Sequence, residues 1–137
     1  MATFNKFNQF VQDLAQKKHD LSADVLTIAL SNTAPVATNA ILSDITEIAY
    51  TNLSARVPTI TSCTQTSGTL KMILADLVLT ASGAVATFRY VVLYNATPTT
   101  PLKPLIAWWD YGSAVTMANG ETFTIDFDNV NGVFQIV

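Results

Sequence analysis

The chain is predicted to adopt a mainly β, antiparallel fold, a β-sandwich or jelly-roll-like arrangement with one N-terminal amphipathic helix. Three observations predict it. Residues 121–128, ETFTIDFD, alternate between polar and apolar side chains, the period of a half-buried strand. Asn-Gly pairs at 119–120 and 131–132 are strong short hairpin signals. Residues 84–112, AVATFRYVVLYNATPTTPLKPLIAWWDYG, are the densest apolar and aromatic stretch and read as two strands facing each other across a proline-rich loop. Short strands with regular turn signals are the pattern of antiparallel sandwiches and jelly rolls. One domain is expected over 1–137, with the helix at 3–18 and the sandwich over 24–137.

The helix comes first. In TFNKFNQFVQDLAQKK, Phe4, Phe7, Val11 and Leu14 recur at helical spacing with Phe10 beside them. Thr3 is placed as N-cap, and Lys17 and Lys18 suit the negative C-terminal end. Docking on the chain's own sheet is favoured over packing on a neighbouring subunit, because a terminal helix usually docks in its own fold. His19, the sole histidine, is read as a surface residue at the helix end, since a lone histidine rarely serves as ligand or base.

A first strand is expected at 24–32, with Leu26, Ile28 and Leu30 on one face, followed by a loop around Pro35. Residues 40–49 read as a loop with one helical turn. A strand at 57–64 carries Pro58, which places it at a sheet edge with unpaired backbone groups available to a partner. Residues 69–80 fit either a helix or a strand. Gly68 and the Ser82–Gly83 turn favour a strand, paired as a hairpin with 84–94.

In 84–94, Phe88, Tyr90, Val92 and Tyr94 share one face, and Val85, Thr87, Arg89, Val91 and Leu93 the other. Two largely apolar faces suit a central strand. Arg89 is the exception, with Asp110 or Asp126 as its available partner. Pro98, Pro101 and Pro104 make 95–104 a stiffened loop. In the strand 105–111, Trp108 and Trp109 must point to opposite faces, one into the core and the other to the surface, a loop or a subunit contact. Gly112 and Ser113 turn the chain into a short strand at 114–117. The strand 121–128 directs Phe123, Ile125 and Phe127 inward, and GVFQIV forms the last strand, tying the end of the chain into the sheet.

Composition narrows the function. Of 137 residues, 50% are hydrophobic and only 12% charged, about half the usual charged share, which favours a surface covered in an assembly. The net charge of −3 and the lack of a basic patch exclude nucleic acid as an expected partner. One cysteine, Cys63, excludes an internal disulfide and a cysteine-cluster metal site, and is read as inert and partly buried. No signal-peptide pattern and no membrane-length apolar run appears, so a cytosolic site of synthesis is expected, without membrane contact.

Motifs for chemistry are weak. Asp126 and Asp128 share a strand face at i, i+2, whereas a glycosidase pair lies across a cleft. Asp126–Gly132 superficially follows a Ca²⁺ loop but lacks the closing glutamate. The Asn52-Leu-Ser and Asn95-Ala-Thr sequons carry no meaning without a secretory signal. No nucleophile–base pair, phosphate loop or metal cluster is seen, so neither an enzyme, a cofactor nor a small-molecule substrate is expected. Trp108, Trp109 and Tyr111 would make a sugar-stacking platform, against which core packing is the commoner explanation.

Several stretches, FNKFNQFVQDLAQKKHDLSADVLTIALSNTAPVATNAILSDITEIAYTN, LKMILADLVLTASGAVATFRYVVLYN, PLIAWWDYGSAVTMANGETFTIDF and NGVFQIV, resemble small virion proteins from the structural gene clusters of tailed bacteriophages and prophages. Among these the chain is most similar to capsid decoration (cement) proteins. The resemblance implies a protein bound to the outer capsid surface, assembled in the host bacterial cytoplasm, with the major capsid protein and copies of itself as partners. It brings no catalytic residues. The candidate interface residues are Phe4, Phe7, Pro35, Pro58, Pro98, Pro101, Trp108 and Trp109, on the helix, the 31–67 loops, the 95–104 loop and the second aromatic arm. The alternative is a phage tail, neck or fibre module binding host glycan. A small jelly-roll lyase or hydrolase is disfavoured by the lack of histidine pairs and metal ligands.

Overall fold

The computed structural model describes residues 2–137. Strand occupies 46% of the chain and helix 8%, in antiparallel sheets with one short helix, so the mainly β expectation holds. The strands are β1 (Asn5–Lys6), β2 (Leu26–Ser31), β3 (Ile60–Thr66), β4 (Thr69–Leu74), β5 (Leu77–Thr80), β6 (Val85–Asn95), β7 (Leu105–Met117), β8 (Thr122–Ile125) and β9 (Phe134–Ile136), with the helix α1 at Asn8–Ala15. They form a four-stranded sheet β1-β7-β6-β2, a three-stranded sheet β3-β4-β9 and a two-stranded sheet β5-β8.

The four-stranded sheet is apolar on both faces, as 84–94 predicts. On one face Leu26, Ile28, Leu30, Phe88, Val91 and Leu93 pack with Met72, Leu74, Leu79 and Ile125 from the smaller sheets and with Phe127 just beyond β8. On the other, Phe7, Ala29, Val92, Tyr94 and Leu105 pack under Leu42 and Ile45, brought there by a single 3-10 turn at Leu42–Asp44. All of β2 is buried for this reason. The pairing register of β6 and β7 shifts near Phe88. That irregularity places Phe88 with Val91 and Leu93, rather than on the Tyr90–Val92 face that strict alternation assigns.

Several expectations are corrected. The helix is shorter than 3–18: residues 5–6 are a strand pairing with Trp108 and Ala107, and Phe7 stands extended at the N-cap position without a side-chain cap, so Thr3 is not the cap. The Phe7 N–H donates to the Ile106 carbonyl at 3.2 Å. Pairing with β7 thus overrides the helical spacing of the phenylalanines, and Val11 is left half exposed. Residues 69–80 break at Ala75–Asp76, where an Asp76 Oδ1 accepts the Phe127 N–H at 3.0 Å. β4 then pairs with β3 around Ser67 and Gly68, both at positive φ, and β5 pairs with β8, so no hairpin joins 69–80 to 84–94.

Gly112 does not turn the chain. It sits inside the 13-residue β7 at φ +95, and its N–H donates to Asp110 Oδ1 at 2.8 Å. The two Asn-Gly pairs do turn the chain, yet neither makes a hairpin. The first is clipped to Ala81 by Gly120 N–H to Ala81 O at 2.7 Å and Ala81 N–H to Glu121 O at 2.9 Å, which delivers β8 to β5. The second delivers β9 to β4. The edge placement of the segment after Pro58 is right, since β3 pairs only with β4.

Candidate functional site: an aromatic groove beside an open strand edge

β1 pairs with β7 only at Ala107 and Trp108. Among the described residues no strand lies beside residues 109–117 of β7 on that edge. The side chains there overhang a groove of about 560 Å³ between the four-stranded sheet and the segment from β8 onward. Phe4, Trp109, Tyr111, Phe123 and Phe127 line it, with Asp126 and Asp128. The rings brace one another edge to face: Phe4 on Trp109 with centroids 5.7 Å apart, Trp109 on Phe127 at 6.1 Å, and Tyr111 on Phe123 at 5.1 Å. Tyr111 remains 55% exposed, so its ring is available to a ligand or neighbour.

The two carboxylates differ. Asp128 holds its own turn: Oδ1 accepts the Val130 and Asn131 N–H groups at 2.9 and 2.7 Å, and Oδ2 accepts from Asn131 Nδ2 at 2.8 Å. These bonds, the Asn131 backbone donor foremost, hold its carboxyl below the usual range. The Asp128 carboxylate is thereby engaged within its own turn. Asp126 is exposed and takes part in no hydrogen bond or ion pair among the described residues. Arg89 selects Asp110, not Asp126, in a bidentate pair at 2.7 and 2.9 Å that stays about two-fifths exposed.

The opposite edge of the sheet is closed. Alongside β2, the Ile28 N–H donates to Arg56 O at 2.8 Å and the Ile48 N–H to Leu30 O at 3.0 Å. The Tyr50 hydroxyl accepts the Leu30 N–H at 3.1 Å and donates to Glu47 at 2.5 Å. The Arg56 guanidinium lies 3.4 Å over the Tyr50 ring and donates to the Ile28 carbonyl. Burial, and then the Glu47 bond, pushes the Tyr50 phenol well above its ordinary value. A neighbouring strand can therefore add at β7 and not at β2.

The structure separates the sequence-derived interface residues. Phe4 and Trp109 meet in the groove. Phe7 is fully buried, 4.5 Å from the Trp108 ring on the other face of the sheet. The two tryptophans do point opposite ways, and both are half-buried. Pro35 and Pro58 are buried, which corrects their assignment as contact residues: they pack their own loops inward. Pro98 and Pro101 are half-buried in a loop closed by Asn95 N–H to Pro104 O at 3.0 Å, whose exposed tip is Thr99, Thr100 and Leu102. The aromatic and acidic groove positions absent from the interface set are Tyr111, Phe123, Asp126, Phe127 and Asp128. The inward reading of Phe123 and Phe127 was the available signal, but alternation does not say which strand they face.

His19 is a second correction. It is 6% exposed, not on the surface, because the chain after α1 folds back under the end of β6. Asn95 Nδ2 donates to His19 Nδ1 at 3.1 Å and to Asp24 Oδ2 at 2.6 Å. His19 Nε2 and Asp13 Oδ2 are buried without a partner. Burial lowers the His19 pKa against the pull of Asp13 and Asp24. No hydroxyl or thiol nucleophile appears among the partners of this cluster, and the Cys63 thiol is pushed up by burial and by Asp20. Among the described residues no group of three or more His, Cys, Asp or Glu side chains is placed to hold a metal ion, and no helix is long and apolar enough to cross a membrane.

Comparison with protein-family models, with curated proteins and with solved structures finds no match to the chain.

Proposed function

We propose that this chain is a non-catalytic structural subunit of a tailed-phage virion: a capsid decoration protein on the outer head surface, contacting the major capsid protein and copies of itself. The observation that carries this reading is the open edge of β7. Long edge strands in free-standing proteins are guarded by lysine, proline or a covering loop. Residues 111–119, YGSAVTMAN, hold no charged residue and no proline. Asp110, which precedes this segment, is paired with Arg89. Such an edge is suited to a neighbour that completes it, and a sparsely charged surface lowers the desolvation cost of that contact. The packing of both smaller sheets on one face of the four-stranded sheet supports a β-sandwich reading, jelly-roll-like in that the chain passes repeatedly between layers.

The test compares phage heads with and without the protein. A decoration protein appears in high copy on purified heads and raises the temperature of genome release, because it binds the mature lattice in preference to its alternatives. Low copy confined to the tail, with heads equally robust in its absence, overturns the proposal. The aromatic groove favours a second reading, a tail or fibre module that stacks host glycan on Trp109 and Tyr111. Binding of the purified protein to host cell-surface glycan would select it.

A further inference from the structure

We propose that the aromatic groove is a binding site for a small alkylated ammonium group of the choline type. Three features of the lining converge on that chemistry. Five aromatic side chains meet there from separate segments: Phe4 ahead of β1, Trp109 and Tyr111 from β7, Phe123 from β8, and Phe127 beyond it. Ring faces attract cations through their quadrupole, and more strongly where water is thinned out; tryptophan is the best of them.

The formal charge is the second feature. Asp126 and Asp128 both line the groove, and among the described residues no lysine, arginine or histidine does. Lys71 donates from its Nζ to the Val130 carbonyl at 3.2 Å, and its charge acts on Asp128. Asp128 stays ionised, its acceptors taken by its own turn. Asp126 has its acceptors free. The third feature is shape. A groove of about 560 Å³ is within the range of small-molecule sites.

Together these select against the alternatives. An anion meets two carboxylates. A neutral apolar group fills the ring-lined space but leaves the charge of Asp126 unused. A strongly hydrated cation such as Na⁺ or an unmodified ammonium gives up too much water to sit against rings. An alkylated ammonium keeps its charge on an apolar surface and satisfies both parts of the lining. This inference is independent of whether the protein decorates a capsid.

The experiment is calorimetric titration of the full chain with choline chloride at constant ionic strength. Its neutral isostere, 3,3-dimethylbutan-1-ol, is titrated in parallel, with phosphocholine and N-acetylglucosamine as further arms. Choline is expected to bind at least about tenfold more tightly than the isostere, the factor that about 1.4 kcal/mol of cation–π and charge attraction yields. Phosphocholine should bind more weakly than choline, because its phosphate meets the two carboxylates. Asp126→Asn and Tyr111→Ala each alter an exposed side chain and should weaken choline binding severalfold while leaving thermal unfolding in place. The proposal is overturned if the isostere matches choline, if Asp126→Asn binds choline unchanged, if phosphocholine binds more tightly, or if only the sugar gives a saturable signal. A titration without saturable choline binding overturns it as well.

Discussion

Mild acid should destabilise this protein through His19. The ring is 94% buried by its 6% exposure, and Asn95 Nδ2 donates to its Nδ1. The neutral ring therefore carries its proton on Nε2. Protonation puts a second N–H on Nδ1, facing the Asn95 donor. Asn95 is not free to turn over, because its Oδ1 accepts the Thr97 N–H at 3.1 Å and its Nδ2 also serves Asp24. Asp13 and Asp24 are the charged groups that favour the cation, yet burial outweighs them and the folded pKa lies below the reference value of 6.5. The unfolded chain then takes up the proton first. The His19 contribution is fully present above pH 6.5 and is lost as the pH falls through the lower folded value, with a slope of at most about 1.4 kcal/mol per pH unit for one proton. The carboxyls with perturbed values, Asp20, Asp44, Asp110 and Asp128, are all lowered below their reference of 3.8 and are silent in this window. Urea unfolding at pH 7.5, 6.5 and 5.5 measures the slope, and His19→Gln supplies the reference. The variant loses the edge contact of the ring with Phe10, centroids 5.3 Å apart, but that loss does not vary with pH. A wild-type slope equal to that of His19→Gln, or stability rising as pH falls, would refute the argument and show that the carboxylates dominate.

Three further outcomes follow from local geometry. Gly132→Ala should cost more than about 2 kcal/mol by chemical denaturation, since it joins a left-handed backbone at φ +82 to a Cβ 2.6 Å from the Met72 carbonyl oxygen; Gly120→Ala, at φ +85 in open space, should cost only about 1 kcal/mol, and equal losses would contradict the close approach. Phe88→Ala should cost about 3–5 kcal/mol, because the ring is fully buried and stands edge to face on Phe123 at 5.2 Å. Ala114→Lys, on the exposed part of β7, should leave the melting temperature within a degree or two while reducing self-association in sedimentation and attachment to heads; unchanged association would show that the β7 edge is not the contact.

How far the sequence reaches is visible in particular elements. The strand existence signals are local: 26–31, 105–111 and 122–125 fall inside the expected stretches, 85–95 runs one residue past 84–94, and 60–66 overlaps 57–64 but starts later and ends two residues beyond it. Period-2 alternation also placed Trp108 and Trp109 on opposite faces. Pairing is not local. The Asn-Gly at 119–120 announces a reversal, but whether the next strand returns to β7 or crosses to β5 is decided by Ala81, nearly forty residues upstream, which clips both Gly120 and Glu121. The N-terminal phenylalanines fail for a related reason. Spacing of three between Phe4, Phe7 and Phe10 fits a helix, yet β7 offers backbone partners at Ile106–Trp108, and an extended segment there can send Phe4 to one layer and Phe7 to the other.

The same limit governs the candidate site. Each groove residue has an ordinary local reading: Trp109 and Phe127 as core, Tyr111 as a strand end, Asp126 as a solvated carboxylate. Their convergence depends on two facts that no window of sequence contains. One is that β1 begins only at Asn5, opposite Trp108, so that among the described residues no strand pairs with this edge of β7 beyond Trp108. The other is that Asp128, one face-neighbour along from Asp126, is consumed by the Asn131 turn, so that two carboxylates alike in the sequence become a structural brace and an unengaged charge. An open edge and an unspent charge are both local departures from what a self-sufficient fold needs, and they adjoin each other. That adjacency is why the β7 side of the molecule is the contact surface we propose.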